Sequence, residues 1–166
     1  MKFNFFIGKI LLSIPRINSM QFVYKILGVQ TDFVTNRYFI ANPTVIGEYE
    51  KIYMHDGACI NKGCLLLVRD RIEIGENSSL AYGVTILTSA NPDNALNKIY
   101  PPKTAPVIIG KDCWIGANST ILPGVIIGDY CMVAAGSVVT KDVPSHSMVA
   151  GSPARIKKVL NIEKNI

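Results

Sequence analysis

The chain has 166 residues, the size of one domain, and its 49% hydrophobic against 17% charged content supplies enough apolar material for one continuous core. A net charge of +5 is scattered rather than gathered in one basic block, which argues against a nucleic-acid partner and suits an anionic small ligand or a membrane surface. With only two histidines, His55 and His146, and no CxxC pair among Cys59, Cys64, Cys113 and Cys131, a three-histidine zinc site within one chain is excluded and reduced thiols in a cytosolic protein are expected.

Residues 1–30 read as an N-terminal helical cap. Phe3, Phe5, Phe6, Ile7, Ile10, Leu11, Leu12 and Ile14 make an apolar start that Pro15 interrupts. Lys9 sits inside this run, which is too short to span a bilayer and has no small-x-small cleavage site after it, so neither a membrane span nor a signal peptide is expected. Met20 to Leu27 reads as a second short helix ending at Gly28. The segment holds Lys2, Lys9, Arg16 and Lys25 and no acid. Residues 1–28 therefore either pack against the body of the chain or rest on anionic lipid as a basic amphipathic patch, a peripheral membrane contact.

A repeat occupies residues 40–150. Ile109, Ile115, Ile121, Ile127, Val133 and Val139 lie one hexad apart, and four positions after each comes Cys113, Ser119, Val125, Cys131, Ser137 or Val143. A period of six fits neither a helix nor a simple strand, so each hexad is one short strand plus a corner, with the aliphatic residue inward and a small one beside it. The early register is less clean. Ile46-Gly47 opens a hexad, a two-residue slip precedes Met54 and Ile60, and a second slip at Val68–Arg71 precedes Ile74, Leu80 and Ile86. Residues 88–106, rich in Asn and Pro, break the period as an excursion loop, and a loop of that length thrown out of a tight repeat reads as functional. After Val143-Pro144, residues 152–166 are expected to form a C-terminal helix, with Ser152 as N-cap, Pro153 at the first helical position, and Ile156, Val159 and Leu160 on one face. That helix would cover the otherwise unpaired end of the stack.

Three strings carry a family resemblance: residues 109–129, which include Trp114-Ile115-Gly116-Ala117 and Leu122-Pro123-Gly124; Ala135-Gly136-Ser137 through Val143-Pro144; and Ala150-Gly151-Ser152-Pro153-Ala154-Arg155. In these the chain resembles the hexapeptide-repeat acyltransferases, in the branch of galactoside and maltose acetyltransferases and the acetyltransferases of polysaccharide biosynthesis. The resemblance implies an all-β fold, a left-handed parallel β-helix, assembled as a homotrimer with acetyl-CoA held between neighbouring subunits. It implies that Trp114, Ala117, Ala135 and Gly136 flank the pantetheine arm, where small side chains let a thin ligand approach backbone. Thr140, Lys141, Arg155 and Lys158 are implied beside the cofactor's phosphates, which cations suit. No metal is required.

At one position the chain departs from the pattern. Family members that acetylate a hydroxyl carry a histidine in the loop after the strand matching residues 84–88, and here the matching residue is Asn91. Asparagine cannot take a proton near neutral pH, and general-base catalysis is typically worth ~10²–10⁴-fold. The acceptor is then an amine, as on an amino sugar, with Asn91 orienting it; or Asp93, His55 or His146 supplies a base across a subunit boundary; or activity is lost and a trimeric CoA- or sugar-binding scaffold remains; or the histidine has been replaced in this sequence. Asn61 resembles an asparagine that faces the acceptor, and it also suits a tight corner. The expectation is a cytoplasmic acetyltransferase, at most at the inner face of the membrane. It transfers acetyl directly from the thioester to a sugar or amino sugar, nucleotide-linked or polysaccharide-related, with no cysteine nucleophile.

Overall fold

The computed structural model describes residues 28–31, 39–41, 43–92 and 94–161. The expected N-terminal cap lies outside these apart from residues 28–30, and with it the lipid-contacting stretch. Among the described residues no helix is long and apolar enough to cross a membrane.

The chain winds through three flat faces. The first coil comprises β1 (Gln30–Thr31), β2 (Phe39–Ile40) and β3 (Thr44–Gly47), and the second β4 (Ile52–Met54), β5 (Cys59–Ile60) and β6 (Leu65–Val68). The third is β7 (Ile72–Ile74), β8 (Ser79–Leu80) and β9 (Thr85–Leu87). An excursion bearing the antiparallel hairpin β10 (Ser89–Ala90) and β11 (Lys103–Thr104) follows. The fourth coil is β12 (Val107–Ile109), β13 (Trp114–Ile115) and β14 (Thr120–Ile121), and the fifth β15 (Ile126–Ile127), β16 (Met132–Val133) and β17 (Val138–Val139). The chain ends in β18 (Ser147–Ala150) and β19 (Arg155–Val159). Strands of successive coils stack in parallel as β1-β4-β7-β12-β15 on the first face, β2-β5-β8-β13-β16-β18 on the second and β3-β6-β9-β14-β17 on the third. This is the left-handed parallel β-helix that the family resemblance implies.

Short strands suffice because each inward residue stacks on its equivalents above and below. Ile40, Ile60, Leu80, Ile115, Val133 and Val149 form one such inner column, all buried. A fully buried aliphatic side chain contributes roughly 1.5–3 kcal/mol, so the column carries much of the stability. The small position of the hexad fills the inside of a corner. Ser78 there donates to the Gly110 carbonyl at 2.6 Å and accepts the Cys113 amide at 2.9 Å. On the outside of that first edge, between the first and second faces, Gly57, Asn77, Asp112, Tyr130 and His146 occupy one column, all with positive φ.

The two register slips both fall at the third edge, where the third face turns back to the first. One is the 3₁₀ turn Tyr49–Lys51, and the other is the bend at Arg69 and Asp70. The excursion at 88–106 leaves from the same edge.

The C-terminal helix is a correction. Residues 151–154 form a turn, with a cis bond between Ser152 and Pro153, and Arg155–Val159 is strand β19, antiparallel to β18. Without it, β18, the last parallel rung of the second face, would leave a row of backbone groups unpaired, and the tail satisfies them. The Ala154 amide donates to Val138 O at 2.8 Å and the Leu160 amide to His146 O at 2.7 Å, fixing both ends. Residues 162–166 of the expected helix lie outside the described residues.

Candidate functional site

The second edge, between the second and third faces, is a stair of backbone. The amides of Gly83, Asn118 and Gly136 donate to the carbonyls of Lys62, Tyr82 and Ala117 one coil before, at 3.2, 3.0 and 2.8 Å. Its lower steps carry only Ala117, Ala135 and Gly136 beyond the exposed Asn118. Gly136 adopts φ +68°, and a Cβ there would meet nothing within 4 Å, so this step faces open space. The amides of Ala117 and Ala135 have no acceptor among the described residues. A thin chain of amides lying here would find donors without steric obstruction. Trp114 stands on the neighbouring second face, 60% exposed, between Ser79 and Met132.

The expected phosphate-facing residues divide. Thr140 and Lys141 are exposed where β17 ends, at the third edge, and Arg155 opens β19. Lys141 and Arg155 together rim a cavity of about 230 Å³ at the C-terminal end of the stack, with Asp142 beside them and Val139, Val143 and Val149 below. Lys158 is not part of it, being opposite Met148 in β19.

The acceptor-side candidates do not converge within one chain. Asn91 is exposed just past β10, on the excursion, and Asp93 lies outside the described residues. Asn61 is half-buried just past β5 at the second edge, where its amide group donates to Leu80 O at 2.8 Å. His55 and His146 stand at opposite ends of the first edge. His55 Nε2 lies 2.8 Å from Glu73 Oε1, and the other oxygen of Glu73 pairs with Arg71, which lies over the Tyr53 ring. His146 stacks on Tyr130 with centroids 5.0 Å apart. Glu73, and Thr88 at the root of the excursion, were not anticipated. Apart from Arg71 beside Glu73, their partners are 18 to 21 residues away, and the pairing appears only once coils are laid in register.

The thiols are structural. Burial pushes those of Cys59 and Cys64 up. Cys113 and Cys131, both buried, occupy the same inner corner of successive coils. Hydrogen bonding from Cys113 lowers Cys131 to about 7, and the same contact raises Cys113. No group of three His, Cys, Asp or Glu among the described residues could hold a metal ion.

A family model described as the hexapeptide repeat of succinyl-transferase matches residues 106–141. Over 138 residues the chain is 34% identical to YJL218W of Saccharomyces cerevisiae, a candidate acetyltransferase, covering 82% of this chain and 68% of that protein. The chain belongs to the hexapeptide-repeat acyltransferase family. This acyltransferase chain is also 38% identical over 91 residues to galactoside O-acetyltransferase of Escherichia coli, covering 54% of the chain and 45% of that relative. It thus spans about two thirds of the yeast protein and under half of the bacterial one. Among solved structures, the hexapeptide-repeat acetyltransferase VCA0836 of Vibrio cholerae superposes with a TM-score of 0.82 at 25% identity, covering 96% of this chain and 90% of that one. The same Vibrio protein has been crystallised with acetyl coenzyme A.

Proposed function

We propose that this acyltransferase moves an acetyl group from acetyl-CoA to an amine on a sugar, nucleotide-linked or polysaccharide-related, within one ternary complex. The observation that carries the reading is the backbone stair at Ala117, Ala135 and Gly136, an open edge with two amides free to bind. The excursion presents Asn91 where the family resemblance implies imidazole in an alcohol-acetylating member. The acetyl-CoA complex of the Vibrio protein, which shares the fold, supports the choice of acyl donor. Asn61 and Asn91 lie on different edges of one prism, so a neighbouring copy is what would bring the two together. This supports a homotrimer with its sites at the seams.

In that site Ala117 and Ala135 would bind and orient the pantetheine arm through their amides, while Lys141 and Arg155 would neutralise phosphate. Asn91, able both to donate and to accept, would hold the acceptor nitrogen. The neutral amine attacks the thioester carbon, a C–N bond forms, and the C–S bond breaks. The departing thiolate then takes the proton released by nitrogen, so no resident base is needed. We propose a cytoplasmic enzyme, with any lipid contact confined to residues 1–28.

The test is release of free thiol when the protein is given acetyl-CoA with matched panels of amino sugars and plain sugars. Turnover on amines alone is expected. Turnover on alcohols would instead call for a base, with His55→Ala and His146→Ala separating those two from Asp93. The silent scaffold is favoured by the missing imidazole and by the engagement of His55 with Glu73. No thiol release, with coenzyme A still bound, would establish it.

A further inference from the structure

Thr88 is fully buried at the third edge, and its hydroxyl serves three backbone groups of the preceding coil. It donates to Leu67 O at 2.8 Å and accepts the amides of Arg69 at 2.8 Å and Asp70 at 3.0 Å. The Thr88 carbonyl in turn accepts the Ala105 amide at 3.0 Å, closing the root of the excursion. One residue thus joins the Arg69–Asp70 bend, through its hydroxyl, to both ends of the loop that carries Asn91, the far end through its carbonyl. Asn91 follows Thr88 by three residues, at most about 10 Å of chain.

The charges around this root are nearly all engaged. Lys51 Nζ holds Glu48 at 2.8 Å and the Arg69 carbonyl at 3.0 Å. Arg71 pairs with Glu73, and Asp70 Oδ1 accepts the Arg71 amide at 2.7 Å. The exposed guanidinium of Arg69 has no acid partner among the described residues. The excursion adds Lys98 and Lys103 against a single acid, Asp93. With Glu50 exposed in the same turn as Lys51, five cations and five acids balance on this edge. What remains is one planar guanidinium, on a backbone fixed by Thr88 and Lys51 and without an acid partner among the described residues, and it suits an anionic oxygen pair.

We propose that Arg69 is the specificity-determining residue for the acceptor, recognising a phosphate or carboxylate on the sugar, and that Thr88 is the positioning residue that aims it. This rests on the acetyltransferase reading and deepens it to the charge of the acceptor.

The experiment compares KM for glucosamine, its 1- and 6-phosphates and glucosaminuronic acid, followed by thiol release. An anionic member is expected to have a KM about tenfold or more below that of glucosamine, and whether a phosphate or the carboxylate does so identifies the group. Arg69→Gln abolishes that preference, Arg69→Lys keeps part of it, and Lys111→Gln, a charge loss on the first edge, leaves it intact. Thr88→Val weakens the preference as Arg69→Gln does, and Thr88→Ser restores it, which a purely structural role for the methyl group would not produce. Equal KM values for neutral and anionic amines, or a preference that survives Arg69→Gln, overturns the proposal. Should no amine turn over, calorimetry of glucosamine 6-phosphate with the coenzyme A-saturated protein decides. Heat lost in Arg69→Gln supports the proposal, and no heat with the wild type overturns it. Coenzyme A binding and thiol release report separately on the acetyltransferase reading.

Discussion

Between the fourth and fifth coils equivalent residues repeat after 18 positions, as from Ile109 to Ile127 and from Ile115 to Val133. Between the second and third the interval is 20, from Met54 to Ile74, and between the third and fourth it is 35, from Ile74 to Ile109. From the second coil to the fifth every surplus residue enters at the third edge, while the faces stay in register. The contrast separates two tasks. The faces and the first two edges bury side chains and carry the stack. The third edge can lengthen freely because its residues need no partner in the next coil, and loop closure grows only slowly with length. Asn91 and Arg69 lie on the edge that stability leaves free, and the candidate pantetheine contacts lie on the second edge.

The largest effect expected from this contrast is on the faces. Ile115→Ala, at a fully buried site, should cost about 3–4 kcal/mol by urea denaturation, whereas Leu96→Ala on the exposed excursion should stay within about 0.5 kcal/mol. Comparable losses would break the division. Thr88 is the point where the free edge is nonetheless anchored. Thr88→Val, which leaves the Arg69 and Asp70 amides without their partner, should cost about 2–3 kcal/mol, with Thr88→Ser recovering most of it. A neutral Thr88→Val would mean the third edge is not anchored at all.

The second edge can be divided more finely. A Cβ at Gly116 would lie 2.5 Å from Ala135 N and 2.6 Å from Val133 O, so Gly116→Ala should cost about 2 kcal/mol. Gly136→Ala meets no neighbour and should cost only about 1 kcal/mol for its positive φ, yet raise KM for acetyl-CoA by narrowing the step. The smallest effect is a pH slope. Because Cys131 is lowered in the folded state to about 7, the unfolded chain binds more protons between that value and its ordinary range, near 9. Stability should therefore rise from pH 7 to 9 and lose this gain as pH falls through 7, and the slope should flatten in Cys113→Ala, measured by denaturation at several pH values.

The hexad made the inner columns legible: Ile109 through Val139, and Cys113 through Val143 at the small position, are all buried. The two slips and the excursion were legible as breaks of period, although nothing in one dimension says that all three share an edge. The C-terminal helix failed for a definite reason. Ile156, Val159 and Leu160 fit a helical face, and the competing demand, the bare edge of β18, belongs to backbone groups with no sequence signature. The open stair at Ala117, Ala135 and Gly136 was approached through family resemblance and small side chains. Arg69 and Thr88 were invisible because their relation is made by one hydroxyl bridging residues 18 to 21 apart, and a threonine in a strand carries no mark of what its oxygen bonds.

A stack of identical rungs has translational symmetry, so an uncapped terminus is a template on which another molecule's first rung could grow, and then another. β19 ends that possibility on the second face by reversing polarity. It presents an antiparallel, wholly exposed strand bearing Arg155, Lys157 and Lys158, so an approaching molecule meets mismatched donors and a repelling charge. The five residues that sequence alone would make helical thus keep a filament-forming architecture discrete.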